Sequence, residues 1–191
     1  NMMKYNLLSL MTPISLIGIA FLVYSLGTSI VFISFSQQLQ LSYLIALICF
    51  MPIGFMLIPH TFSLKYGLYS KETDVVFHWQ SYLCLALLIF LVNHYFLKSD
   101  EYFHQMVISM CEEFLFRFVI YKVLRNNYSR LWSIIIASLL FGILLHLNYP
   151  MIDNLLIRTP LGILFSILAT KFGLEYAIGG HWIYNLYQSI I

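Results

Sequence analysis

Apolar residues gather into seven runs, at about 13–36, 41–59, 80–97, 104–121, 131–148, 155–170 and 174–191, separated by shorter polar stretches. A helix rises 1.5 Å per residue, so roughly 20 mainly apolar residues cross the hydrocarbon core of a bilayer. The pattern therefore predicts an all-α protein, a polytopic transmembrane helix bundle of about seven spans. The last two runs are the shortest, and Gly173, Gly179 and Gly180 interrupt the end of the chain. Pro52 and Gly54 fall inside the second run, where they favour a kink. No internal repeat and no low-complexity linker divides the chain, so residues 1–191 are expected to form a single membrane domain. No small-residue cleavage site follows the first run, which is expected to be a retained helix.

Composition supports this class. Of 191 residues, 61% are hydrophobic and only 9% charged, against about 25% charged in soluble domains. The net charge of +2 and the lack of a basic tract give no reason to expect nucleic acid as a partner. Cys49, Cys84 and Cys111 lie in apolar runs without a CxxC pair and read as packing residues. The many phenylalanines and tyrosines suit lipid-facing and interfacial positions. With seven spans, Lys4, Lys65, Lys71, Lys122, Arg125, Arg130 and Lys171 fall on one side, and Lys98 and Arg158 on the other. The positive-inside rule then puts the N-terminus in the cytoplasm. The 61–79 connection, with Lys65, Lys71, Glu72 and Asp74, is expected to be a solvated cytoplasmic loop.

The fourth run breaks the apolar pattern with Glu112, Glu113 and Arg117. A charge at the centre of a spanning helix costs on the order of 2.5–3.5 kcal/mol on insertion scales. Glu113 and Arg117, four apart, share a helix face and can pair. Glu112 lies about 100° round the helix and is left over. A purely structural ion pair would account for Glu113 and Arg117 but not for Glu112. The fifth run carries His146, and the seventh carries His181 and Asn185, again four apart on one face. His60, His78, His94 and His104 lie near span ends and read as packing or solvated residues.

Together, Glu112, His146, His181 and Asn185 could carry out peptide hydrolysis. Glu112 with His146 could hold and deprotonate a water. Asn185 could donate to the oxyanion, and His181 could steady the water or the oxyanion. Glu112, His146 and His181 could instead ligate a divalent metal such as zinc, whose bound water would be the nucleophile. Both chemistries are open to these residues.

Glu112-Glu113-x-x-x-Arg117, a histidine closing a helix that contains Phe141-Gly142, and His181-x-x-x-Asn185 resemble the CPBP family of intramembrane proteases. That family includes type II CAAX prenyl endopeptidases and bacterial Abi proteins tied to bacteriocin processing and self-immunity. The resemblance covers roughly residues 105–191. It sets a catalytic core over 101–191 apart from generic N-terminal spans over 1–100. Pro160-Leu-Gly162 to Phe172-Gly173 also resembles the family's short linking helix. The resemblance implies an active site inside the bundle, with Glu112 as base, Glu113 and Arg117 in support, His146 and His181 serving the water and Asn185 the oxyanion. In one respect the chain departs from the pattern. The family's phenylalanine stands four residues before the histidine; here Phe141 stands five before His146, and Gly142 holds the usual place. On a continuous helix that shifts the aromatic by about 100°.

The expected partners are the lipid bilayer and a peptide or membrane-protein substrate, in the setting of a bacterial plasma membrane. A non-catalytic membrane immunity or regulatory protein that acts by binding is the alternative. A transporter or proton relay would also use intramembrane Glu and His, but no inverted repeat accompanies them.

Overall fold

The apolar runs become helices because a chain that cannot hydrogen-bond to water must satisfy its backbone internally. A computed structural model describes residues 8–72 and 75–191; Lys4 and Asp74 lie outside the described residues. The described residues form seven helices, in chain order α1 (Leu8–Ser34), α2 (Leu39–Lys65), α3 (Trp79–Leu97), α4 (102–124), α5 (Arg130–Leu144), α6 (Met151–Lys171) and α7 (Leu174–Ser189). There is no strand among the described residues. Helices α1, α2, α3 and α6 are long and apolar enough to cross a membrane. In α3 only 11% of the most apolar window is buried in the protein. Leu22, Ile30, Ile33, Leu83, Leu87 and Phe96 likewise point outward. In water that surface would be a large unburied apolar patch; in a helical membrane bundle it is the lipid-facing side.

Three elements differ from the expected runs, the first being α2, which continues to Lys65 and so takes up residues 61–65 of the expected 61–79 connection. α5 stops at Leu144, and residues 145–148 turn, so His146 lies beyond the helix and not within it. Pro150 follows closely and cannot continue a helix hydrogen-bonding pattern. α6 begins at Met151 and spans 21 residues, so the expected short linker is a full-length apolar helix.

α4 is the central helix. Leu115, Phe116, Val119 and Ile120 are completely buried, in one core with Leu16, Ile17 and Ala20 of α1 and Leu47, Met51 and Phe55 of α2. Tyr121 joins a second core with Phe165 and Ala169 of α6 and Ala177 and Ile178 of α7. Pro52 lies between two wider π-helical turns of α2, Ala46–Phe50 and Ile53–Leu57. Its missing N–H is accommodated there without breaking the helix. A Cβ on Gly54 would meet the Ala20 carbonyl at 2.9 Å, so the glycine lets α1 and α2 approach closely.

The start of α7 is clasped by the segment before α3. Gly173 adopts φ +136°, which favours glycine, and turns the chain sharply out of α6. The Leu174 N–H then donates to the Val76 carbonyl at 2.8 Å. The fully buried Glu175 accepts from the His78 backbone N–H at 3.2 Å and lies 2.9 Å from His78 Nδ1. Further along, Trp182 is buried and its Nε1 donates to the Tyr102 carbonyl at 3.0 Å, joining α7 to α4.

Gly142 marks the tightest approach of α5 to α6. A Cβ there would lie 2.3 Å from Thr159 Oγ1 and 3.0 Å from the Asn154 carbonyl oxygen and the Thr159 nitrogen. Gly142→Ala should therefore lower stability by about 1–3 kcal/mol, the usual cost of overpacking. Gly18→Ala, where nothing lies within 4 Å, should be neutral or slightly stabilising. Thermal unfolding of the two variants in one detergent compares them; equal midpoints would contradict the close approach.

Candidate active site

Glu112 and Glu113 close the regular α-helical part of α4, and π-helical turns run from Phe114 to Ile120. Such wider turns recur at functional sites. Across this segment Arg117 Nε lies 3.2 Å from Glu113 Oε2, with both side chains buried. The contact is electrostatic: neither atom makes a well-aligned hydrogen bond among the described residues, and neither do the two terminal nitrogens of Arg117. The guanidinium is carried instead on the face of Phe141, 4.6 Å from the ring centre. Gly162 leaves room for it, since a Cβ there would lie 3.2 Å from Arg117 Nη2.

His181 enters from α7 and meets both carboxylates. Its Nδ1 donates to Glu113 Oε1 at 2.7 Å, and its Nε2 lies 3.4 Å from Glu112 Oε2. Adjacent residues point about 100° apart on a helix, and the two nitrogens of one imidazole span that difference. Glu113 is fully buried, whereas the Glu112 side chain keeps 13% of its surface. The His181 ring is stacked on Phe165 (centroids 5.1 Å, 14° between planes) and meets the edge of Phe141 (5.6 Å, 89°).

His146 is placed by the turn after α5. Its Nδ1 lies 3.2 Å from the carbonyl of Phe141, and its ring packs T-shaped on Phe141 at 5.4 Å. The one-residue departure from the family spacing is thus absorbed. Because α5 ends at Leu144, the chain between Phe141 and His146 is not continuous helix, and Phe141 touches both histidines. Asn154, buried and without signal in the sequence, secures the turn: its Nδ2 donates to the His146 carbonyl at 2.8 Å.

His146, His181 and Asn185 line one cavity of about 160 Å³, together with Tyr149, Arg158 and Phe165. Glu112 meets this group through His181. Among the described residues, no three His, Cys, Asp or Glu side chains converge as a metal site. Each histidine rests its Nδ1 on an oxygen, His181 on Glu113 and His146 on the Phe141 carbonyl, and keeps its Nε2 for the chemistry of the site.

An apolar helical bundle thus brings two histidines and an amide to one small cavity, with two carboxylates behind His181, the groups that a membrane hydrolase requires. Residues 79–187, more than half of the chain, match the family described as type II CAAX prenyl endopeptidase Rce1-like, and the chain belongs to that family. Comparison with curated proteins and with solved structures finds no match. The family match begins at the start of α3, earlier than the motifs alone reach. α3 belongs with the core physically, since Ile89 packs with Trp182 and Leu186 of α7.

Glu113 carries two buried cationic or protonatable neighbours. Glu113→Ala should destabilise the protein by about 3–5 kcal/mol, because Arg117 would be left buried without a counter-charge. Glu113→Gln should cost less, since the amide oxygen can still accept from His181. Thermal unfolding of both variants measures this, and a stable Glu113→Ala would show that Glu113 does not neutralise Arg117.

Proposed function

We propose that the protein is an intramembrane endopeptidase that hydrolyses a peptide bond in a peptide precursor or membrane-associated protein, using water activated by Glu112 and His146. Family membership supports the protease class. The observation that carries the assignment of the base is the engagement of Glu113. That carboxylate already serves Arg117 and His181, so Glu112, which retains some exposure, is the one with capacity for water.

The chemistry needs no further group. Glu112 takes a proton from the water while His146 holds its oxygen. The resulting hydroxide adds to the carbonyl carbon, and the oxyanion accepts from the Asn185 amide. Collapse of the tetrahedral intermediate breaks the C–N bond, and the proton held by Glu112 passes to the departing amine. His181, oriented by Glu113, steadies the water and the oxyanion from the opposite wall. The bilayer and the surrounding aromatic rings exclude bulk water, which strengthens each of these polar contacts.

The same reading includes a multi-pass topology with the N-terminus in the cytoplasm, supported by the excess of Lys and Arg on one side. His146 then lies just past the outer end of α5 and Asn185 toward the outer end of α7, and cleavage occurs between the bilayer centre and the outer leaflet.

In a cleavage assay on purified protein, Glu112→Ala should lower kcat by about 10²–10⁴ with unchanged thermal stability. Asn185→Ala should lower it by about 10²–10³. Wild-type activity should persist in chelator. Full activity of Glu112→Ala would overturn the base assignment, and loss of wild-type activity in chelator, restored by zinc, would overturn the metal-free mechanism.

A further inference from the structure

Arg158 lies on the wall of the cavity shared by His146, His181 and Asn185, and the reaction above leaves it unused. It is held in place from two sides. The guanidinium carbon sits 3.8 Å above the centre of the Tyr149 ring. Nη1 donates to Asn154 Oδ1 at 3.2 Å, and Asn154 is the buried residue that also secures the His146 carbonyl. A guanidinium has five N–H donors, and this single protein acceptor occupies one.

The contrast with other arginines is informative. Arg117 faces Glu113 and Arg125 faces Glu72, whereas Arg130 bonds to Thr170 away from the cavity. Among the described residues no carboxylate faces Arg158. A rigidly held fork of free donors beside a small, partly apolar cavity is complementary to a planar anion. The cavity measures about 160 Å³, well under the roughly 300 Å³ at which pockets for drug-sized ligands begin. It therefore suits the short end of a chain better than a long segment.

We propose that Arg158 binds a carboxylate of the substrate and so sets the distance from that carboxylate to the scissile bond. The carboxylate has two possible sources, the free C-terminus of the substrate or an Asp or Glu side chain next to the scissile bond. The proposal rests on the endopeptidase reading, because it assigns the occupant of the same cavity.

The test uses the full chain carrying Glu112→Gln, so that binding is read without turnover. The probes are fluorescent peptides ending in S-farnesyl-Cys-Val-Ile-Ala, the C-a-a-X form in the family's description. One has a free C-terminal acid, one a C-terminal amide, and one the amide with Glu in place of Val, next to the bond that follows the prenylated Cys. The acid should bind about 10–100-fold more tightly than the amide, the range expected for hydrogen bonds to a charged group. Adding Arg158→Gln should bring that ratio to within about twofold of unity, and Arg158→Lys should restore part of it. Tight binding of the Glu-containing amide assigns the site to a side-chain carboxylate; weak binding assigns it to the C-terminus. Equal binding of acid and amide, or a ratio that survives Arg158→Gln, overturns the proposal. If Arg158→Gln does not fold, the wild-type ratio together with Arg158→Lys decides. Cleavage by the wild-type chain is measured separately: a preserved acid preference without any cleavage would refute the hydrolytic reading and leave the carboxylate site standing.

Discussion

The buried carboxylate of Glu113 is the contact on which the rest of the site depends. It lies without solvent exposure between a guanidinium and an imidazole, 3.2 Å from Arg117 and 2.7 Å from His181. Arg117 could not remain in this interior without a nearby negative charge, because desolvation of an unpaired cation costs several kcal/mol. His181 in turn gains a fixed orientation from the same group, as histidines in functional sites commonly do from a carboxylate on the second nitrogen. One side chain on α4 thus neutralises its own helix and docks α7. The neighbouring Glu112 then meets a histidine whose position is already determined.

Phe141 plays a comparable part among the apolar groups. Its ring receives Arg117 on one face and contacts both histidines and Phe116. An aromatic ring suits this place because its face is electron-rich and its edge is positive, so it can border a cation and imidazoles without a hydrogen bond. The end of α5 follows from the same arrangement. By turning after Leu144, the chain brings His146 back over Phe141, and Asn154 from α6 holds the turn through its carbonyl.

The helices far from the chemistry contribute rigidity and setting. Glycines at 54 and 142 occupy points where another helix comes too close for a side chain, and Gly162 lies where a Cβ would crowd the Arg117 guanidinium. The clasp between the 75–78 segment and Glu175 holds the start of α7, three turns before Asn185 reaches the cavity. Ile89 of α3 packs with Trp182 beside His181, and the region that matches the family includes α3 as well as the motif helix.

The helical class and the number and approximate limits of the helices were legible in the chain alone, and of the six proposed site residues five lie on the helices that the apolar pattern predicts. Two periodicities explain this. Apolar length is imposed by the bilayer, and an i, i+4 spacing such as Glu113–Arg117 or His181–Asn185 is fixed by covalent helix geometry whatever surrounds it. His146 was found as a residue but misplaced as part of a helix, because a helix end set by Pro150 and by packing on Asn154 leaves only a faint local signal. The pairing of Glu113 with His181, the use of Phe141 by three polar groups, and the placing of Arg158 beside the cavity were decided only by tertiary structure. Each is a contact between helices distant in sequence, and the angle and depth at which two helices pack depend on many side chains at once, the small residues among them.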